Sequence, residues 1–181
     1  MVLSLNQHLR QYARMDIRPL VSTDIAAVAA LLRSLSLEYI VHESTREGAS
    51  TFLAENDETG LRGYLACGHV YHVAVDEGEL TGFVAVRDNC HLFHLFVGKR
   101  WHRTGLSRRL WDVARAAALG RGGDAVFTVN SSNYAVPVYE AFGFVRVGPT
   151  QCAKGLYYNP MRLGGDASKD EDRSDRRAAS A

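Results

Sequence analysis

This chain of 181 residues has few cysteines, only Cys67, Cys90 and Cys152. Their number is odd, their spacings are scattered, and no Cys-x-x-Cys or metal-ligand pattern is present. They read as reduced thiols of a cytoplasmic protein, with Cys67 and Cys90 as packing residues and no metal site expected. No apolar stretch approaches the roughly 18 residues that span a bilayer, so no membrane partner is expected. The first residues lack the apolar core of a signal peptide, which argues against secretion. An excess of one charge is also missing. Lys and Arg number 21 against 20 Asp and Glu, a net charge of +1, so no global field draws the chain to nucleic acid or a lipid surface. No internal repeat stands out, and no glycine-rich loop ends in the Gly-Lys-Ser/Thr of a P-loop, which disfavours a nucleotide-binding protein of that type.

What is present suits one globular domain: 46% hydrophobic residues and 23% charged give it enough apolar surface for a core. Residues 1–14 are polar with scattered leucines and read as an N-terminal extension. Residues 164–181 are Gly, Asp, Glu, Ser, Lys, Arg and Ala with no large apolar side chain, a composition expected to form a disordered tail. Residues 15–163 form the domain between them. A short strand over 15–19 precedes Ser22-Thr23-Asp24, read as the cap of a helix carrying Ile25, Val28, Leu32 and Leu35. Two shorter helices are expected over 45–56 and 59–67, after a loop at 39–44. Strands over 69–75 and 80–86 flank Asp76-Glu77-Gly78-Glu79, a hairpin signal. A strand over 124–129, a helix over 135–142 capped by Gly143, and strands over 144–147 and 157–163 complete the order. The pattern describes a mixed α/β domain, its first half mostly antiparallel and its second half containing a strand–helix–strand crossover.

The richest segment covers residues 91–119. An apolar run, His91–Val97, breaks at Gly98 into the cationic loop Lys99-Arg100-Trp101-His102-Arg103-Thr104-Gly105. A helix follows, with Leu106, Leu110, Val113 and Ala117 at helical spacing. The first amides of such a helix have no internal partner, and the helix dipole adds partial positive charge there. Gly105 puts no Cβ in the way of an approaching phosphate. The combination describes a site for a small phosphate-bearing ligand.

Two segments together resemble a known family. His102-Arg103-Thr104-Gly105-Leu106-Ser107 is similar to the Gln/Arg-x-x-Gly-x-Gly/Ala signature of the GNAT superfamily of acetyl-CoA-dependent N-acyltransferases. About 30 residues on, Asn130-Ser131-Ser132-Asn133-Tyr134-Ala135-Val136-Pro137-Val138-Tyr139-Glu140-Ala141-Phe142-Gly143-Phe144 resembles its second motif, an Asn followed by Ala, Tyr-Glu and Gly-Phe. His102 and Ser107 depart from the signature, although Ser107 is still small. The resemblance implies a mostly antiparallel central sheet of about seven strands flanked by helices and splayed at the cofactor-binding strands. It also implies acetyl-CoA as cosubstrate, held by the backbone of Phe96 and Val97, by the loop residues His102, Arg103, Thr104, Gly105, Leu106 and Ser107, and by Asn133. Lys99, Arg100, Arg108 and Arg109 would add charge around the phosphates, or else form a solvated face. A homodimer is a common state in the family.

The chemistry asks for two further groups. An amine with a pKa of about 10.4 is neutral in only about one molecule in a thousand near pH 7.4, so exposing its lone pair costs roughly 4 kcal/mol. A proton acceptor must lie near it, directly or through water, and the departing thiolate needs a donor. The resemblance places Tyr139 beside the cofactor sulfur as general acid; the alternative is an aromatic that only packs its helix. For the acceptor, His94 and Glu38 are the candidates, with His91, His42 and Glu43 as alternatives. Strand alternation puts His91 and His94 on opposite faces. Tyr71, His72, Tyr157 and Tyr158 are candidates for the acceptor pocket. Asn133 could instead cap the helix that begins near Ala135. No cysteine lies in either motif, so direct attack by a primary amine, most simply of a small molecule, is expected over a covalent acyl-enzyme. A protein or peptide amine is the second choice, and a non-catalytic acyl-CoA-binding module is the reading from another class.

Overall fold

In the computed structural model residues 15–165 are described; residues 1–14 and 166–181 lie outside the described residues, and with them the expected extension and nearly all of the expected tail. The elements run β1 (Asp16–Pro19), α1 (Ile25–Tyr39), α2 (Arg46–Glu55), α3 (Glu58–Ala66), β2 (Val70–Asp76), β3 (Glu79–Arg87) and β4 (His91–Val97). They continue with α4 (Leu106–Gly120), β5 (Phe127–Ser131), α5 (Val136–Ala141), β6 (Val145–Arg146), β7 (Gln151–Ala153) and β8 (Leu156–Leu163). The order in the sheet is β1-β2-β3-β4-β5-β8-β6, with β7 paired to β8. Every pairing is antiparallel except β4 with β5, which are joined through α4 as the crossover pattern required. The described strands number eight rather than seven because Gln151–Ala153 pairs with the start of β8. Among the described residues no helix is long and apolar enough to cross a membrane.

Local chemistry accounts for the joints. Between β2 and β3 the loop is Glu77-Gly78, with φ of 50° and 87°, the doubly left-handed turn that matches strand twist and that glycine accepts at no cost. The side-chain cap of α1 expected from Ser22-Thr23-Asp24 is absent: Asp24 stands at the N-cap position but makes no cap hydrogen bond to the helix. Ser22–Asp24 is instead a short 3-10 turn, and the Asp24 carboxylate takes the Val21 N–H at 2.9 Å and the Arg18 guanidinium at 2.7 and 2.9 Å. A charged partner on β1 outcompetes the helix's own amides for that carboxylate. Side-chain caps do form at the next two helices, where Thr45 and Asp57 accept from Gly48 and Gly60 at the starts of α2 and α3.

Two apolar layers sandwich the sheet. On one face α4 and α5 bury Leu106, Leu110, Trp111, Val136 and Phe144 against Val84, Leu92 and Phe127. On the other, α1 and α3 bury Ile25, Val28, Leu32 and Leu61 against Val73, Phe83 and Ala85. Trp101 belongs to the first layer and is buried, so the tryptophan of the cationic loop anchors that loop to the core. Cys67 is exposed and Cys90 half-buried, so Cys67 is not the packing residue its composition suggested.

A single irregularity re-aims β4. His94 pairs with Ala85 and Leu92 with Val86, leaving Phe93 as an extra residue opposite no partner. Such a bulge shifts the side-chain phase by one. Leu92 and Leu95 therefore both face α4, while Phe93 and Phe96 join the α1 layer. His91 and His94, expected on opposite faces, both line the same cavity.

Candidate active site

β4 and β5 pair only at His91–Thr128 and Leu92–Val129, and then part. Beyond Ser131 the chain turns into α5, while β4 continues along β3 as far as Val97 opposite Gly82. The gap opens into a cavity of about 910 Å³ that runs the length of β4, from Arg87 and His91 at one end to Arg103 and Ser107 at the other. β4 faces this gap with a strand edge unpaired past Leu92, a surface that an extended ligand can complete by strand-like pairing.

The outer end is the helix start anticipated from sequence. Gly105 caps α4 with φ of 85°, and Arg109 N–H is bonded to its carbonyl at 3.1 Å. The amides of Leu106 and Ser107 therefore precede the helix's hydrogen-bond ladder and point out of its end. Nothing lies within 4 Å of a Cβ built on Gly105, so the glycine serves the backbone turn and leaves open space in front of it. Arg103, with φ of 60°, completes the turn and lines the cavity. Thr104 Oγ1 donates to the Trp101 carbonyl at 2.6 Å. The His102 ring folds back and its Nε2 meets the Val97 carbonyl at 2.9 Å, fastening the loop to the end of β4. This substitution in the motif thus has a structural use.

The other cations of the segment are mostly committed. Lys99 is ion-paired with Glu38, Arg108 lies over the Phe142 ring and donates to the Ala141 carbonyl, and Arg109 reaches the Met15 carbonyl at 3.5 Å. Arg100 stacks over Trp101.

Tyr139, on α5, lines the middle of the cavity. It is 6% exposed, and among the described residues its hydroxyl has no hydrogen-bond partner. Burial raises its pKa above the ordinary phenol range, so the hydroxyl keeps its proton and stands as a donor. The packing alternative is also satisfied, since its ring meets Phe142 and Phe144 edge-on.

The expected proton acceptors are placed differently from one another. His94 lines the cavity, and its Nδ1 lies 3.1 Å from the Tyr71 hydroxyl. Burial, with a smaller contribution from His69, pushes its imidazole down to about 3. A ring held neutral to that depth is a weak proton acceptor. Glu38 is bound to Lys99 on the rim, and that contact pulls its carboxyl below the usual range. It does not line the cavity. His91 is held at 2.7 Å by Thr128 Oγ1 and is pushed down to about 4, chiefly by burial. Glu43 is engaged by Asn133, and His42 sits 3.9 Å from Glu43.

Asn133 is not the helix cap: Ala135 stands at the N-cap of α5, which has no side-chain cap, and Ser132 Oγ accepts from Ala135 N–H at 3.3 Å in the turn before it. Its carboxamide joins three segments, donating to Glu43 Oε2 at 2.9 Å and accepting from Asn159 Nδ2 at 2.8 Å. Asn159, fully buried on β8, also donates to the Ser131 carbonyl and accepts from Thr150 Oγ1. Sequence reasoning passed over Asn159, although an amide inside the run Leu156–Leu163 was its signal. It also missed the stack of Tyr39 on Tyr134, with centroids 4.2 Å apart, beside His102.

Opposite Tyr139 and beyond Phe93, the cavity wall comes from Phe52, Glu55 and Asn56 of the α2 region, Tyr64 of α3, and Lys154, Tyr157 and Tyr158 of the β7–β8 hairpin. Of the residues considered for an acceptor wall, Tyr157 and Tyr158 line the cavity, whereas Tyr71 and His72 lie elsewhere in β2.

An open mixed sheet, with two parallel neighbours parted in front of a glycine-started helix, defines an α/β domain built to take an extended ligand with an anionic end. A family model of the acetyltransferase (GNAT) domain matches residues 40–164, well over half of the chain, and the chain belongs to that family. Solved structures agree on the fold. The GCN5-related N-acetyltransferase of Rhodopseudomonas palustris is 23% identical with a TM-score of 0.69, covering 83% of this chain and 95% of its own. The PaiA N-acetyltransferase of Thermoplasma acidophilum, in complex with coenzyme A, is 15% identical with a TM-score of 0.66 over 83% and 99%. YncA of Salmonella typhimurium, with acetyl-CoA, is 20% identical with a TM-score of 0.59 over 84% and 94%. No curated protein matches the sequence.

Proposed function

We propose that the protein is an acetyl-CoA-dependent N-acetyltransferase that acts on a primary amine by direct attack. The observation that carries this reading is the buried Tyr139 hydroxyl, without a hydrogen-bond partner among the described residues, in a cleft whose outer end is the Gly105 helix start. The residues present fit the cosubstrate: an unpaired strand edge at Phe96 and Val97 suits an extended arm, and the amides of Leu106 and Ser107 with Arg103 suit its phosphates. Two structural relatives hold coenzyme A or acetyl-CoA. Acetyl-CoA would supply the acetyl group as a thioester.

Tyr139 donates its phenolic hydrogen to the sulfur as the C–S bond opens and the amine nitrogen bonds the acetyl carbon. Burial raises the phenol's pKa, so the hydroxyl keeps its proton until the thiolate forms. The amine's proton does not go to His94. Burial holds the His94 imidazole far below its ordinary range, so protonating it costs more than the roughly 4 kcal/mol needed for the amine to enter as the neutral form at pH 7.4. The amine therefore enters neutral, its proton already lost to solvent, and the second proton leaves through water in the cavity. His94, steadied by Tyr71, forms the neutral floor. Three unpaired thiols suit a reducing compartment such as the cytoplasm.

The test is thiol release from acetyl-CoA with amines. Turnover rising about tenfold per pH unit below the amine's pKa supports entry as the neutral form. A plateau beginning near pH 6 to 7 would instead assign an enzyme base.

A further inference from the structure

The amine-binding end of the cavity carries information about the acceptor. Among the described residues lining the cavity, Glu55 is the one carboxylate, and it is already ion-paired with Lys154 at 3.2 Å. Arg87 and Lys154 also line that end, while Arg103 lies at the phosphate end. A polycationic acceptor, such as a polyamine, an aminoglycoside or a lysine-rich peptide, would meet net positive charge and no free carboxylate.

The rest of that wall is aromatic. Tyr64 and Phe93 meet edge to face at 4.9 Å, Phe93 lies 4.3 Å from the His94 ring, and Phe52 lines the same end. Such walls receive a flat apolar body by offset or edge-on contact.

Beside that end, α2 is tied to the β7–β8 hairpin. Thr45 N–H donates to the Gly155 carbonyl at 2.9 Å, and a Cβ on Gly48 would lie 2.6 Å from Gly155 backbone atoms. A Cβ on Gly155 would collide with Thr45 Oγ1. The start of α2 is thus pressed onto the β7–β8 turn, with Glu55–Lys154 as a second tie at the other end of the helix.

We propose that the acceptor is an arylalkyl monoamine, a single primary amine on a short chain carrying an aromatic ring, with Phe52, Tyr64 and Phe93 as the residues that select it. The proposal rests on the acetyltransferase reading and narrows its substrate. It also gives Lys154 a role, since by holding Glu55 it keeps the cavity unattractive to a second ammonium group.

The experiment measures thiol release from acetyl-CoA by the full chain with 2-phenylethylamine, spermidine and a lysine-containing peptide. The expected kcat/KM for 2-phenylethylamine exceeds the other two by about tenfold or more. Phe52→Ala raises KM for 2-phenylethylamine about tenfold and leaves KM for acetyl-CoA unchanged. Lys154→Ala, a change at an exposed pair, frees Glu55 and raises kcat/KM for spermidine relative to 2-phenylethylamine. Preference for spermidine or the peptide, or unaltered selectivity in Lys154→Ala, overturns the proposal while leaving acetyl transfer intact. Binding of acetyl-CoA without thiol release on any amine overturns both.

Discussion

Among single residues, the clearest distinction is between Tyr139 and the histidines. Tyr139→Phe keeps the ring against Phe142 and Phe144 and removes only the donor, so kcat should fall about 100-fold with little change in melting temperature. Steady-state kinetics beside a thermal melt separates that loss from damage to packing. The histidines predict a stability profile. His94 and His91 are held near 3 and 4 in the fold against about 6.5 when unfolded, so the unfolded chain binds more protons below pH 6.5. Stability should be flat above about pH 7 and decline as pH falls from 6.5 toward 4, and His94→Gln should flatten that decline. A melting temperature independent of pH between 4 and 7 would contradict the burial of these rings. Tyr139 was legible because its neighbours spell a motif. The state of His94 was not, because it depends on burial among rings from neighbouring strands, Tyr71 and Phe83 among them.

Among the strands and helices, hydrophobic periodicity located most elements to within about three residues, and the crossover from β4 to β5 followed from their order. Two features escaped it. The bulge at Phe93 is set by register against β3, which no local pattern encodes, and it brings His91 to the cavity beside His94. The ties between α2 and the β7–β8 hairpin join segments far apart in the chain, Thr45 with Gly155 and Glu55 with Lys154. Two glycines make the contrast measurable. At Gly105 a Cβ meets open space, so Gly105→Ala should cost about 1 kcal/mol of backbone strain and weaken acetyl-CoA binding. At Gly155 the same φ strain adds to a collision with Thr45, and Gly155→Ala should be clearly more destabilising. Chemical denaturation of both variants ranks them; equal losses would mean that the start of α2 is not pressed onto the hairpin.

Across the protein as a unit, the cleft lies between two separately packed halves. The layer under α1 and α3 carries the wall proposed for the amine, and the layer under α4 and α5 carries the Gly105 helix start and Tyr139. A ligand seated along β4 contacts both, so acetyl-CoA at about 100 times its Kd should stabilise the fold by about 2.7 kcal/mol, visible as a rise of several degrees in melting temperature. The amine-binding half was the least legible, because Phe52, Glu55, Tyr64 and Lys154 become a wall only when the chain has folded. Whether the Tyr139 cleft transfers acetyl to an amine is decided by amine-dependent thiol release from acetyl-CoA, measured for the wild-type chain and for Tyr139→Phe. Release that requires an amine, and that drops about 100-fold in a variant still binding acetyl-CoA, is the expected result. Acetyl-CoA binding with no amine-dependent release, or release unchanged in the variant, would contradict it.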